Sequence, residues 1–183
     1  SAIASITYDI ALSGAGSDTM TVSIHQGGGY WTFKLVALPP APDWAGTWKL
    51  APEAGALKVG PGVNDGSWWQ NSLEDVTTRA CLFDDQFVFG SDGSFSNVMG
   101  TETWVETWQG VAAEGCATPV APHDGSNAAT YAYDASAGTV TLNGVGAHIG
   151  LPKVYNGGEL NATNADSAIA SITYDIALSG AGS

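Results

Sequence analysis

Apolar and polar residues alternate with a period of two near the start of the chain. Ile6, Tyr8, Ile10 and Leu12 are separated by single polar or small residues. This alternation places every second side chain on one face, as in a half-buried β-strand. Two further strands follow, with apolar positions at Met20, Val22 and Ile24 and at Trp31, Phe33 and Leu35. With a turn at glycines 27–29, these strands predict a three-stranded meander.

Turn residues divide most of the remaining chain into short strands. Phe87 and Phe89 precede the turn 91–94, and Phe95 begins the return strand. Asp-Gly at such a position is a strong hairpin signal. A second hairpin is predicted around 134–138, and only Ser72–Thr78 is predicted to be helical. The pattern predicts an all-β fold, either an antiparallel β-sandwich or a barrel.

One sequence of 17 residues occurs twice without a change, at Ser1–Ser17 and at Ser167–Ser183. A repeat at a spacing of 166 positions, from Ser1 to Ser167, indicates tandem copies of one domain. A unit of this length can bury a core of its own. We therefore expect an array of identical domains, in which Ser1 and Ser183 are not natural termini.

The segment Pro39–Pro42 contains three prolines and predicts a stiff, extended linker between domains. On this interpretation, residues 1–38 are the C-terminal strands of one repeat. Residues 43–183 are then the next repeat, which lacks its last hairpin. Residues 1–36 are expected to pack on a neighbouring copy or to complete its fold by strand exchange.

The chain is strongly acidic, with 18 acidic residues against five basic ones and a net charge of −13. No basic patch is present, which argues against nucleic acid and anionic membranes as partners. No apolar stretch is long enough to span a bilayer. The expected partners are identical neighbouring repeats and, in addition, a matrix polysaccharide.

Cys81 and Cys116 are the two cysteines of the chain, and their spacing fits no zinc or redox motif. In an oxidising compartment they would form a disulfide, whereas in the cytosol they would be two buried thiols. Low lysine content, many Trp, Gly and Thr residues and the repeat favour the disulfide. The same features favour a secreted, extracellular or cell-surface location.

Catalytic residue patterns are weak in this sequence. Glu102 and Glu106 are the nearest carboxylate pair, but on a regular strand they would be roughly 13 Å apart. A retaining glycosidase needs about 5–5.5 Å. The histidines His25, His123 and His148 are scattered and are expected to form local hydrogen bonds. We therefore do not expect an enzyme.

Oxygen-rich turns raise the question of calcium. Asp84, Asp85 and Asp92 surround one hairpin, and 123–127 is a second such turn. Loops with these oxygen atoms can bind calcium, but Asp, Asn and Gly are also the ordinary residues of turns. We favour the turn interpretation and expect no metal or other cofactor.

The adjacent residues Trp68 and Trp69 are the best candidates for carbohydrate binding, because sugar rings stack on exposed aromatic side chains. On a strand one of the two would be buried and the other exposed, whereas in a loop both can be exposed. Four other tryptophans are expected to fill the core and the seams between domains: Trp31, Trp48, Trp104 and Trp108.

Three short motifs suggest glycosylation. Asp166-Ser167-Ala168 and Asp18-Thr19-Met20 resemble the Asp-Ser/Thr-aliphatic acceptor sites of Bacteroidetes O-glycosylation. In an array Ser1 would be the same site as Ser167. Asn161 begins an N-glycosylation sequon.

Several segments together resemble a lipocalin-like repeat domain of secreted Bacteroidetes-type proteins. They include GTWKLAPEAGALKVGP, SWWQNS, RACLFDDQFVFGSDGSF and YWTFKLV, and the resemblance covers nearly the whole period. Such domains also accompany laminarinase-type glycoside hydrolase modules. The resemblance implies secretion and a link to polysaccharide or matrix, without a catalytic role.

These observations lead to a primary hypothesis and an alternative. The primary hypothesis is a structural subunit of a secreted tandem-repeat fibre or adhesin, joined by strand exchange between repeats and O-glycosylated. The alternative is a carbohydrate-binding module associated with polysaccharide degradation. A hydrolase acting through Glu102 or Glu106 ranks last.

Overall fold

The structure is a computed structural model that describes residues 5–12, 19–37, 40–167 and 169–179. The chain divides into two compact units, Ser1–Pro40 and Ala41–Ser183, which we call the N-terminal unit and the main unit. The division lies inside the segment 39–42, whose first proline is outside the described residues. That residues 1–38 end a preceding repeat stays a prediction.

The N-terminal unit is an antiparallel sheet with the order β1-β2-β3, as the alternation predicts. The strands are β1 (Asp9–Leu12), β2 (Thr19–Gln26) and β3 (Gly29–Val36). Val22 lies opposite Ile10 on one side and opposite Phe33 on the other. Because directly opposed residues share a face, the apolar positions of all three strands lie on the same face.

The described residues of the main unit form short strands, two short helices and one 3₁₀ helix. In chain order its elements are β4 (Gly46–Trp48), β5 (Lys58–Val59), β6 (Trp69–Gln70), α1 (Leu73–Thr78), α2 (Ala80–Phe83), β7 (Gln86–Phe89), β8 (Ser94–Val98), β9 (Thr103–Val105), the 3₁₀ helix Thr107–Gln109, β10 (Gly115–Ala117), β11 (Ala129–Asp134), β12 (Thr139–Asn143), β13 (Val154–Tyr155), β14 (Gly158–Glu159) and β15 (Ser171–Asp175).

The described residues of the main unit form one large antiparallel sheet with the order β15-β12-β11-β8-β7-β4. Smaller antiparallel pairs join β5 to β6, β9 to β10 and β13 to β14. The predicted all-β, antiparallel fold is thus confirmed. The outer strands β4 and β15 do not pair with each other, and no closed barrel is formed by the described residues.

Both predicted hairpins are present, and aspartate shapes their turns. Between β7 and β8, the Asp92 carboxylate accepts hydrogen bonds from the backbone N–H and the hydroxyl of Ser94. Asp134 accepts the same pair of bonds from Ser136 between β11 and β12. Such side-chain bonds fix the turn conformation locally. For this reason the hairpins can be predicted from a few residues.

The predicted helix is also present, at Leu73–Thr78 with Ser72 as its N-cap. The Ser72 hydroxyl accepts the Asp75 backbone N–H, and the Asp75 carboxylate accepts the Ser72 backbone N–H. This reciprocal capping defines the helix start. Helix α2 was not predicted from the sequence, because four residues are too few to show a helical period.

The core of the main unit lies on one face of its large sheet. Its fully buried members come from β7, β8, β12 and β15: Phe87, Phe89, Phe95, Val140, Leu142 and Ile172. A second cluster joins Cys81 and Leu82 of α2 to Trp104 of β9. No helix in the described part of the chain is both long and apolar enough to cross a membrane.

Candidate functional site

The two copies of the repeated sequence form different strands. In the first copy, Asp9–Leu12 is the strand and pairs with β2. In the second copy, Ser171–Asp175 is the strand and pairs with β12. Positions 171–175 correspond to 5–9, so the two strands share only one equivalent residue, the aspartate. Each copy therefore uses a different half of the same sequence.

The same side chains are exposed in one copy and buried in the other. Ile6 is 57% exposed, whereas its equivalent Ile172 is 4% exposed and belongs to the core. Tyr8 is also exposed. Its equivalent Tyr174 packs against the core, and its phenolic oxygen accepts the Ile149 backbone N–H at 2.9 Å. Burial raises the pKa of Tyr174 to about 12.

An apolar groove of about 260 Å³ opens on the core face of the main unit. One wall is formed by Trp48 and Leu50 at the β4 edge of the sheet, and the other by Ile176 and Leu178 directly after β15. Leu178 is largely exposed. The residues between the walls are Trp44, Phe87, Phe89, Val140 and Ile149, and Lys49 is the charged member of the lining. The lining of the groove is thus almost entirely apolar, as is common in sites that bind apolar ligands or partners.

The apolar face of the N-terminal unit is also uncovered. Trp31 is 62% exposed, and Phe33, Leu35, Ile10 and Leu12 on the same face are exposed as well. The Trp31 and Phe33 rings stack at 6.5 Å. A three-stranded sheet has two faces and no second layer of its own, so its apolar side chains cannot be buried without a partner surface.

The expected burial of four tryptophans is correct for only part of the set. Trp104 is buried, and Trp108 is partly buried with its indole N–H donating to Glu106 at 2.9 Å. Trp31 and Trp48 are exposed, so they do not lie in the core of this chain, and their predicted place in the seams between domains stays a prediction. Both lie on outer strands of their sheets, where the described residues provide no covering layer.

The predicted carbohydrate site is a short hairpin rather than a regular strand. Trp68 is 69% exposed and Trp69, in β6, is 38% exposed, so both side chains are exposed, which is the alternative expected for a loop. Each strand of this antiparallel pair is only two residues long. The Arg79 guanidinium lies 5.5 Å from the Trp69 ring and 4.3 Å from the Trp104 ring.

Glu102 and Glu106 do not share a strand face. Strand β9 lies between them, Glu102 is exposed, and Glu106 caps the 3₁₀ helix. Glu106 is 3.7 Å from the Lys153 ammonium group, which also contacts Glu159 at 3.4 Å. Glu106 thus has structural partners in this fold.

The aspartates considered as calcium ligands do not converge. Asp92 and Asp124 each bind the serine two positions later, and these hydrogen bonds to Ser94 and Ser126 lower the pKa of each carboxyl. The described residues contain no group of three or more His, Cys, Asp or Glu side chains placed to share a metal ion. The turn interpretation accounts for Asp92 and Asp124.

Two histidines and one aspartate are buried among the described residues of the main unit. His148 Nδ1 lies 2.9 Å from the Gly146 carbonyl oxygen, and burial lowers the pKa of His148 to about 4. The ring of His123 lies 6.1 Å from it. Asp85 is 2% exposed and accepts the Thr103 hydroxyl at 2.6 Å. Burial raises the pKa of Asp85 to about 7.

Cys81 and Cys116 form the predicted disulfide. It joins α2 to β10, because Cys81 lies in the helix and Cys116 in the strand. Disulfides of this kind persist in oxidising compartments. The bond is compatible with an extracellular location.

The predicted glycosylation positions differ in accessibility. Ser167 and Asn161 are exposed, Thr19 is half-buried at the start of β2, and Ser1 lies outside the described residues. Ser167 and Asp166 line a cavity of about 500 Å³ together with Trp108 and His123. The Asn161 side-chain oxygen accepts both the backbone N–H and the hydroxyl of Thr163.

No protein-family model matches this chain, and neither the curated proteins nor the solved structures include a significant match. The resemblance to lipocalin-like repeat domains therefore stays a prediction.

Proposed function

We propose that this protein is a structural subunit of a secreted fibre or adhesin made of identical β domains, joined by strand exchange. The observation that carries the proposal is the divided use of one sequence. The first copy pairs with β2 through residues 9–12, and the second pairs with β12 through 171–175. A strand that used both halves at once would link two neighbouring sheets into one.

The two uncovered apolar surfaces support the same function. The groove and the apolar face of the N-terminal unit each expose large side chains to water, among them Trp48 and Trp31. Burial of such a side chain contributes roughly 1.5–3 kcal/mol. Domains that expose matching apolar surfaces gain stability when they associate, and an array supplies a neighbour at high local concentration.

Sedimentation velocity and negative-stain electron microscopy of the full chain test this function. We expect assembly that increases with protein concentration and gives elongated particles. Ile176→Asp places a charge in the groove and should abolish assembly, whereas Ala177→Asp, whose side chain points to the opposite face, should not. Thermal melting checks that both variants fold. Monodisperse monomers of the parent chain throughout the micromolar range would disprove the proposal.

Glycans are part of this proposal. Ser167 and Asn161 are exposed, as an acceptor must be, and O-linked sugars at Ser167 would lie at the mouth of the cavity lined by Trp108. Thr19 and Ser1 remain further predicted acceptors. Surface glycans would add hydration to a chain in which only 13% of residues are charged.

The second candidate function is carbohydrate binding, and the exposure of Trp68 favours it. An indole ring that is 69% exposed offers a flat apolar surface to a sugar ring. In affinity electrophoresis with laminarin and other matrix polysaccharides, Trp68→Ala should remove any retardation of the parent. Val63→Ala, also on an exposed residue nearby in sequence, is the matched control. Absence of retardation for the parent, or retardation unchanged in Trp68→Ala, would contradict this candidate.

A further inference from the structure

We propose that the groove is filled by the β2–β3 hairpin, residues 19–36, of a neighbouring copy of this chain. The hairpin pairs through β2 with the segment Asp175–Leu178. This inference rests on the proposed function and specifies its contact. The large sheet of the main unit is thereby extended to the order β3-β2-β15-β12-β11-β8-β7-β4.

The register of this contact follows from the first copy of the repeated sequence. There Asp9 lies opposite Ser23, Ile10 opposite Val22 and Leu12 opposite Met20. Asp175–Leu178 has the same sequence as Asp9–Leu12. The same pairs therefore place Val22 beside Ile176 and Met20 beside Leu178.

The side-chain directions of this register agree with the groove. Ile172 and Tyr174 face the core, and Ile176 and Leu178 continue this alternation and line the groove. Met20 and Val22 then point to the groove side. Opposite them in β3, Leu35 and Phe33 point the same way. The uncovered apolar face of the hairpin thus closes over the uncovered apolar groove.

The outer edge of β15 is occupied at Thr173 and carries no strand from Asp175 onward, where the hairpin is proposed to pair. At Thr173 the backbone N–H and carbonyl bind the Asn156 side chain, at 2.7 Å and 2.8 Å. On the inner edge, which faces β12, the Ile176 backbone N–H donates to the Gly138 carbonyl oxygen. From Asp175 onward the described residues place no strand on the outer edge. In the first copy, pairing with β2 begins at the equivalent aspartate, Asp9.

The exchange replaces each cross-strand residue pair that it breaks with an identical pair. To receive Asp175–Leu178, strand β2 must release Asp9–Leu12 of its own chain, and the incoming strand is identical in sequence. The cross-strand pairs lost and gained are therefore the same, as in domain swapping. The net change is the burial of two apolar surfaces, which favours the exchanged form. In a tandem polypeptide, the β2–β3 hairpin of the next repeat would follow Leu178 in the same chain and would pair with Asp175–Leu178 without displacing a strand.

Disulfide trapping between two full-length single-cysteine variants tests the register. The Met20→Cys and Leu178→Cys chains are prepared with different masses, so that a heterodimer can be told from a homodimer, and they are then mixed and oxidised. The native cysteines Cys81 and Cys116 are already paired with each other, so they do not compete for the new thiols. Directly opposed strand residues have Cα atoms about 4.5–5.5 Å apart, within the range of a disulfide. Thr21→Cys mixed with Leu178→Cys is the matched control, because residue 21 faces the other side of the sheet.

We expect the 20/178 heterodimer at a yield at least about tenfold above the 21/178 control, in non-reducing mass spectrometry. Equal yields, or no 20/178 product although the parent chain assembles, would overturn this contact and leave the proposed function intact. Monomers without cross-links at every concentration would overturn both. A double variant Met20→Cys, Leu178→Cys that cross-links only within one chain would overturn the exchange between copies.

Discussion

At the residue scale, Asp85 is a carboxyl group that this fold removes from water. One of its oxygens accepts the Thr103 hydroxyl, and the other has no hydrogen-bond partner. Burial without a compensating charge disfavours the ionised form and raises the pKa of Asp85 to about 7. In the unfolded chain, where the aspartate pKa is about 3.9, the carboxyl group loses its proton at a much lower pH.

Asp85→Asn should therefore stabilise the protein at high pH. For Asp85, stability is greatest below about pH 4, falls as the pH rises towards about 7, and is constant above that. Asparagine has nearly the same shape and can still accept the Thr103 hydrogen bond. We expect a gain on the order of 2–4 kcal/mol at pH 8 and little change at pH 4, measured by urea unfolding. A loss of stability at pH 8 would contradict this account.

His148 has the opposite pH dependence and must be separated from Asp85. Its pKa is lowered by burial to about 4, so its contribution is present above the ordinary histidine pKa of about 6.5. That contribution is lost as the pH falls from about 6.5 to 4. The two slopes oppose each other in the parent. The difference between Asp85→Asn and the parent at each pH isolates the aspartate.

At the scale of elements, the turns and the helix start follow from local side-chain bonds. Four segments carry aspartate two positions before serine, and in each the aspartate oxygen accepts the serine backbone N–H: Asp65–Ser67, Asp92–Ser94, Asp124–Ser126 and Asp134–Ser136. Local bonds of this kind act within a few residues. They could be predicted from sequence because no distant contact is involved.

Helix α2 and strand β10 are joined instead by a covalent bond between distant positions. The disulfide closes a loop with a sequence separation of 35. In the chain-entropy model a loop of this length contributes ~4 kcal/mol. We expect the double variant Cys81→Ala, Cys116→Ala to lose about 3–4 kcal/mol in urea unfolding. Reduction of the parent should give a similar loss, and a loss below about 1 kcal/mol would contradict the prediction.

At the scale of the whole molecule, the net charge opposes the proposed assembly, whereas the exposed apolar surface favours it. Every copy carries a net charge of −13, so neighbouring copies repel one another at low ionic strength. Added salt screens this repulsion and leaves apolar burial intact. In the sedimentation experiment above, larger particles are therefore expected at high than at low salt. An adhesion based on ion pairs would show the reverse.

The candidate site could be only partly predicted. The repeat and the amphipathic meander are visible in the sequence, and they led to the expectation that residues 1–36 act on a neighbour. The groove was not predicted, because Trp48, Leu50, Ile176 and Leu178 come from opposite edges of the large sheet. Residues so far apart in sequence share no local pattern. For the same reason the sequence does not reveal that Trp31 and Trp48, which are expected in the core or in the seams between domains, are exposed in this chain.

By itself, the sequence determined the all-β class, both hairpins, the N-terminal meander and the start of α1, because alternation and capping act over short distances. The cysteine pairing was also predictable, since two cysteines allow a single disulfide. Only the tertiary structure decided which half of the repeated sequence forms a strand in each copy. Strand pairing depends on the neighbouring strand as much as on the strand's own residues, so Ile6 is exposed and its identical counterpart Ile172 is buried.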